Sequence, residues 1–172
     1  VVLPHCEGPV PEPRVLVLGA GGAARGGIAA LKGRVGSISI ANRTVDRARR
    51  LAEEAELVVR VDDHDTGNDT ATRGNLEGEG VSRPADGRDQ VGSFENPIGR
   101  VFSLAELRDL PTDSFDLIVQ TTSVGMLHGP EGDPSEGYHF SGRELLFDVV
   151  YTPAETAFLK RGRAAGCTTV NG

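Results

Sequence analysis

Gly19, Gly21 and Ala24 occupy the three special positions of a GxGxxG/A turn in the stretch VLVLGAGGAARGG. Glycine at the first position permits a tight turn, and at the second it lets a pyrophosphate approach the backbone. A small third residue keeps the following helix close to the strand, and the free N–H groups at the helix start receive phosphate. One strand later the chain reads ANRTVDR. A domain that binds NAD ends this strand with Asp or Glu, whose carboxylate pairs with the ribose 2′-hydroxyl. Here the position holds Asn42, followed by Arg43 and Thr44, with Arg47 one helical turn beyond Thr44. Two guanidinium groups and a hydroxyl therefore converge where a 2′-phosphate would lie, and arginine holds phosphate through charge-assisted hydrogen bonds. The chemistry expected is recognition of a phosphorylated dinucleotide, NADP(H) in preference to NAD. Arg49 and Arg50 read as a solvated helix face. The bland alternative is a plain strand-to-helix connection followed by an exposed basic helix.

The elements that must position these residues follow from periodicity. Residues 15–18 form a short β-rich run ended by glycines, and 23–32 a small-residue helix that can lie close against a sheet. Residues 37–41 supply a second strand, Thr44 a helix N-cap and 45–55 a helix. A third strand is expected at 57–61, with 100–103 as its competitor. A short helical pattern covers 104–110, and strands are expected at 115–120, 144–150 and 168–170. A helix over 153–165 has proline near its first turn and Gly166 as its stop. Strands alternating with helices predict an α/β fold, a Rossmann-like doubly wound parallel sheet with helices on both faces.

The 172 residues, 38% of them hydrophobic, suit one globular core. One domain over 1–172 is expected, interrupted at 62–98 by a flexible acidic insertion. That insertion carries six Asp and three Glu against three Arg, so it accounts for most of the net charge of −7. Residues 62–97 contain only four of the Leu, Val, Ile, Phe and Met set, too few to offset the entropy of ordering them. Neither a basic stripe nor interleaved aromatics are present, which argues against nucleic-acid binding. No apolar run reaches membrane length and no signal-peptide order opens the chain, so a soluble cytoplasmic protein is expected. Cys6 and Cys167 are far apart, and His5, His64, His128 and His139 show no ligand or triad spacing, so no metal site is expected.

Three blocks, GAGGAARG, NRTVDR, and a C-terminal set of DLIVQTTSVGM, FDVVYTPAETAFL and VNG, resemble the cofactor-binding domain of the shikimate/quinate dehydrogenase family. The resemblance implies that Gly19, Ala20, Gly21, Gly22 and Ala23 hold the pyrophosphate. It implies that Asn42, Arg43, Thr44 and Arg47 recognise the 2′-phosphate, and that Thr122 and Ser123 border the nicotinamide half of the cofactor. Val149 and Gly172 would meet the nicotinamide, and Tyr151 would reach the substrate. Taken without the family, Val149 and Tyr151 read as ordinary packing residues. The implied activity is reduction of 3-dehydroshikimate to shikimate with NADPH, a step of aromatic amino acid biosynthesis.

Family members also carry an N-terminal substrate domain that supplies a catalytic Lys and Asp. The 172 residues are expected to lack that domain, so no catalytic residue is assigned here and the chain alone is expected to be inactive. Shikimate or 3-dehydroshikimate would then be engaged through the missing domain, and a homodimer is compatible with the bare surface left behind. Two further readings stay open: a non-catalytic NADP-sensing or regulatory module, and a quinate dehydrogenase, which would more comfortably use NAD.

Overall fold

The computed structural model describes residues 12–60 and 98–172. His5, Cys6 and His64 lie outside the described residues, as does the expected insertion up to residue 97. In chain order the elements are β1 (Arg14–Leu18), α1 (Gly22–Leu31), β2 (Ser37–Asn42), α2 (Val45–Glu54), β3 (Val58–Val59), β4 (Ile98–Gly99) and β5 (Val101–Ser103). A 3-10 turn (Glu106–Asp109), β6 (Leu117–Gln120), β7 (Leu145–Asp148), α3 (Ala157–Ala164) and β8 (Thr168–Asn171) follow.

Six strands form one parallel sheet in the order β5-β2-β1-β6-β7-β8. This is the doubly wound arrangement, with its reversal of strand order between β1 and β6. The run VLVL in β1 is apolar throughout because both faces of a central parallel strand are covered. Val15 and Val17 face one core with Ala24 and Ile28 of α1 and Ala48, Leu51 and Ala52 of α2. Leu16 and Leu18 face the other, with Phe158 and Leu159 of α3 and Leu107 of the 3-10 turn.

That second face departs from a simple helical layer. Residues 121–144 contain no helix, and an aromatic chain takes the place of one. Phe102, Phe115, Tyr138, Phe140 and Phe158 follow one another with ring centroids 5.7–6.5 Å apart. Burial pushes the Tyr138 hydroxyl up to about 12, so it stays protonated while accepting the Ser114 N–H at 3.2 Å.

Several expected elements are corrected. The stretch 57–61 yields only the two-residue β3, paired with β4 outside the main sheet. β5 lies beside β2 instead, as the competing stretch 100–103 allowed. The physical reason is burial: Val58 is 49% exposed, whereas Phe102 of β5 is 8% exposed and supplies an inward-facing side chain. The pattern at 104–110 closes as a 3-10 turn. Ser103 and Glu106 bond reciprocally there, Ser103 N–H to the Glu106 carboxylate at 2.5 Å and Glu106 N–H to Ser103 Oγ at 3.3 Å. The helix expected from Pro153 starts at Ala157, because Thr156 is its N-cap and accepts the Leu159 N–H at 3.3 Å. Thr44 does stand at the N-cap position of α2, but its side chain makes no cap bond. Among the described residues no helix is long and apolar enough to cross a membrane.

Candidate cofactor site

The carboxyl ends of β1 and β6 open the crevice at which doubly wound sheets receive ligands. At the end of β1 the chain turns at Gly19, whose φ is +112°. Its N–H donates to Ala41 O at 2.8 Å, while Thr121 N–H and Oγ1 both donate to Leu18 O, at 2.9 and 2.6 Å. The turn is thus fastened to both neighbouring strands. A Cβ on Gly19 would lie 2.7 Å from Thr121 Oγ1 and 3.0 Å from Thr122 Cγ2, so conformation and space both require glycine.

Gly21 differs in kind. Its φ of −103° and ψ of −165° are open to any residue, and nothing lies within 4 Å of where its Cβ would stand. The space beside Gly22 is equally open. Among the described residues nothing calls for glycine at either position, so the bare space before α1 reads as room for a ligand. The first turn of α1 holds no acidic residue, and its N-cap makes no side-chain bond. Its leading N–H groups and the positive end of the helix dipole therefore face outward, a suitable cradle for pyrophosphate. Ala20 is partly buried and Ala23 exposed at this same turn.

At the end of β2, Asn42 Nδ2 donates to Thr44 O at 2.8 Å. Asn42 thereby shapes the turn that presents its neighbours. Arg43, Thr44 and Arg47 are exposed, and among the described residues neither guanidinium has an ion-pair or hydrogen-bond partner. Two other exposed arginines differ in having acidic partners: Arg25 pairs with Glu54 at 2.5 Å, and Arg49 lies 3.5 Å from Asp46.

The other half of the edge rests on polar residues not singled out from sequence. Gln120, Asp148 and Asn171 are register partners across β6, β7 and β8, and each ends its strand. Gln120 accepts Thr122 N–H at 2.5 Å and donates to Thr122 O at 3.3 Å and Val124 O at 2.9 Å. Asp148 accepts Val150 N–H at 2.9 Å and Thr156 Oγ1–H at 2.6 Å, while Asn171 Nδ2 donates to Ala154 O at 2.6 Å. Burial pushes the Asp148 carboxyl above its usual range, and the bonds from Thr156 and Val150 oppose that shift. The sequence signal was a polar residue closing an otherwise apolar strand, as in LIVQ and LLFD.

These anchors bring several expected residues together. Thr122 packs beside Gly19, and Gly172 packs against Val149, its Cβ position 3.3 Å from Val149 Cα. Val149 N–H donates to Gln120 O at 3.0 Å and Gly172 N–H to Asp148 O at 2.8 Å. Ser123 is exposed at the rim, and Tyr151 is 75% exposed. The rim is also apolar at Met126 and Leu127, 45% and 55% exposed. The two lysines of the sequence lie elsewhere: Lys32 donates to Ala55 O at 2.7 Å, and Lys160 is exposed on α3. Burial pushes the Cys167 thiol up to about 12, so at neutral pH it offers no thiolate nucleophile.

The family model described as shikimate / quinate 5-dehydrogenase matches residues 7–68. The NADP(+) shikimate dehydrogenase of Citrifermentans bemidjiense is 34% identical over 167 residues, which is 94% of this chain and 44% of the relative. That of Moorella thermoacetica is 32% identical over 160 residues, 92% of this chain and 42% of the relative. A crystal structure of a shikimate dehydrogenase in complex with NADP+ superposes with a TM-score of 0.58 at 24% identity, covering 94% of this chain and 44% of that one. The chain thus spans less than half the length of the curated relatives it matches. Sequence blocks, strand order and relatives converge, and the chain belongs to the shikimate/quinate dehydrogenase family.

Proposed function

We propose that this chain is the NADP(H)-binding part of a shikimate dehydrogenase, the enzyme that interconverts 3-dehydroshikimate and shikimate. The observation that carries the reading is the pairing of an open glycine cradle at the start of α1 with two arginines, Arg43 just after β2 and Arg47 in the first turn of α2, that have no partner among the described residues. Gly19 to Ala23 hold the pyrophosphate through backbone N–H groups. Arg43, Arg47 and the Thr44 hydroxyl hold the 2′-phosphate, with Asn42 setting their turn. Thr122, Ser123, Val149 and Gly172 border the nicotinamide, and Tyr151 stands on the substrate side. The bound dinucleotide supplies hydride chemistry, while the protein supplies position and electrostatics.

Neither lysine lies at the carboxyl edge, so the proton of the substrate hydroxyl is handled by groups outside this set. Isolated chain is therefore expected to bind cofactor and to show no turnover of 3-dehydroshikimate. Thermal melting tests the cofactor reading, because a ligand at free concentration L that binds only the folded state stabilises it by RT ln(1 + L/Kd), so at equal concentration the tighter ligand raises the melting temperature more. NADPH should raise it more than NADH at equal concentration, and Arg43→Ala should remove the difference. Equal shifts from both nucleotides, or none, would contradict the assignment.

A further inference from the structure

The structure points to Arg161 as a positioning residue for the nicotinamide side of the site, an inference that rests on the function proposed above. Arg161 lies on α3, away from the carboxyl edge, yet its guanidinium gathers one segment of the helix-free connection between β6 and β7. Nε donates to Asp133 Oδ2 at 2.6 Å, Nη1 to Tyr138 O at 2.7 Å, and Nη2 to Ser135 O and Oγ at 2.5 and 2.6 Å. The guanidinium carbon also sits 4.2 Å from the centroid of the Phe140 ring. Asp133 is itself occupied on its other oxygen, which accepts Ser135 N–H at 2.8 Å and Ser135 Oγ–H at 2.7 Å. This is a planar fork used in full geometry, a role lysine cannot reproduce.

What Arg161 grips is the return leg of the loop whose outward leg borders the cofactor. The outward leg runs through Thr122, Ser123, Met126 and Leu127. Gly125 N–H donates to Pro130 O at 2.8 Å and Gly129 N–H to Met126 O at 2.8 Å, so the leg is closed on itself. Only Glu131 and Gly132 separate Pro130 from the clamped Asp133, and Gly132 has φ +117°. Gln120 holds the near end of the leg at Thr122 and Val124, and Gly132 brings no side chain to brace the far end, so without the clamp the part of the leg beyond Val124 loses that support and moves more freely. Leu127 N–H donates to Thr152 O at 2.9 Å, which passes any such movement to the residue beside Tyr151. Among the described residues the turns at β1 and β2 have no hydrogen bond to this loop return, so Arg161 should govern one half of the dinucleotide and leave the other untouched.

The test is calorimetric titration of wild type, Arg161→Lys and Arg161→Ala with NADPH and, separately, with adenosine 2′,5′-bisphosphate, which carries only the phosphate-side groups. Arg161→Ala should bind NADPH about tenfold more weakly, as expected when a preorganised wall is loosened, and adenosine 2′,5′-bisphosphate within about twofold of wild type. Arg161→Lys, with a charge but no fork, should fall between. Should the alanine variant fail to fold, Asp133→Asn, which keeps shape and removes the charge, must show the same split in milder form. Equal weakening of both ligands, or of neither, overturns the positioning role. Wild-type chain that binds neither ligand would instead refute the cofactor reading itself.

Discussion

One row of register partners crosses the sheet at its carboxyl edge: Phe102, Ala41 and Leu18 on one side, Gln120, Asp148 and Asn171 on the other. The first three are apolar, and the turns above them keep their polar groups outward, with an uncapped helix start and arginines that have no partner among the described residues. The second three are polar and fasten the loops above them from within. The difference teaches how one edge can serve a ligand with two unlike halves. On the function proposed above, a dianionic phosphate would be met by donors with no partner among the described residues, and a flat ring by walls that the strand-end anchors hold in place. Changes at the open phosphate-side positions, Gly21, Arg43 and Arg47, should therefore cost binding without stability, whereas Gly19 and the polar anchors beneath the other side should cost stability first.

The sharpest way to break this comparison lies within the glycine turn. Gly19→Ala forces a side chain into a positive-φ position and against Thr121, so it should destabilise the fold by about 1–3 kcal/mol in urea unfolding. Gly21→Ala meets neither obstacle. Its unfolding free energy should stay within about 0.5 kcal/mol of wild type, while NADPH binding weakens about tenfold as the methyl enters the pyrophosphate cradle. If both variants lose stability equally, the open space at Gly21 is not a ligand cradle.

A smaller effect of opposite sign is expected at Gly26, inside α1 with nothing within 4 Å of its Cβ position. Gly26→Ala should stabilise the chain by about 0.5–1 kcal/mol, since alanine is the better helix former. Any loss of stability would reveal packing against that face.

The subtlest test lies on the polar side. Because burial raises the folded carboxyl of Asp148, its contribution is fully present below the unfolded carboxyl range and is lost as pH rises through the folded value. Compared with Asp148→Asn, wild type should therefore lose relative stability as pH rises above the ordinary carboxylate range of about 4. A pH-independent difference in melting temperature would show that Asp148 is not held in a desolvated site.

The sequence made the apolar side of the edge legible and left most of the polar side unread. GAGGAARG and NRTVDR carry their chemistry in local spacing, so Gly19, Arg43 and Arg47 could be placed without any fold. Gln120, Asp148 and Asn171 act only because three strands distant in sequence share a register, and Arg161 only because a loop returns to α3. The expected start of the last helix went to Pro153 because proline suits a first turn. The true start is decided by Thr156, whose hydroxyl bonds both Leu159 N–H and Asp148. The third strand was ambiguous because 57–61 and 100–103 have similar local character, and burial beside β2 decides between them.

The central claim is that Arg43 and Arg47 are left unpartnered to receive a 2′-phosphate. Calorimetric titration of wild type and Arg43→Ala with NADPH and NADH tests it most directly. Wild type should prefer NADPH, and the substitution should weaken NADPH binding by about 1.5–3 kcal/mol, the range for hydrogen bonds to charged groups, with NADH little changed. Equal affinity of wild type for the two nucleotides, or equal losses for both in the variant, would contradict the account.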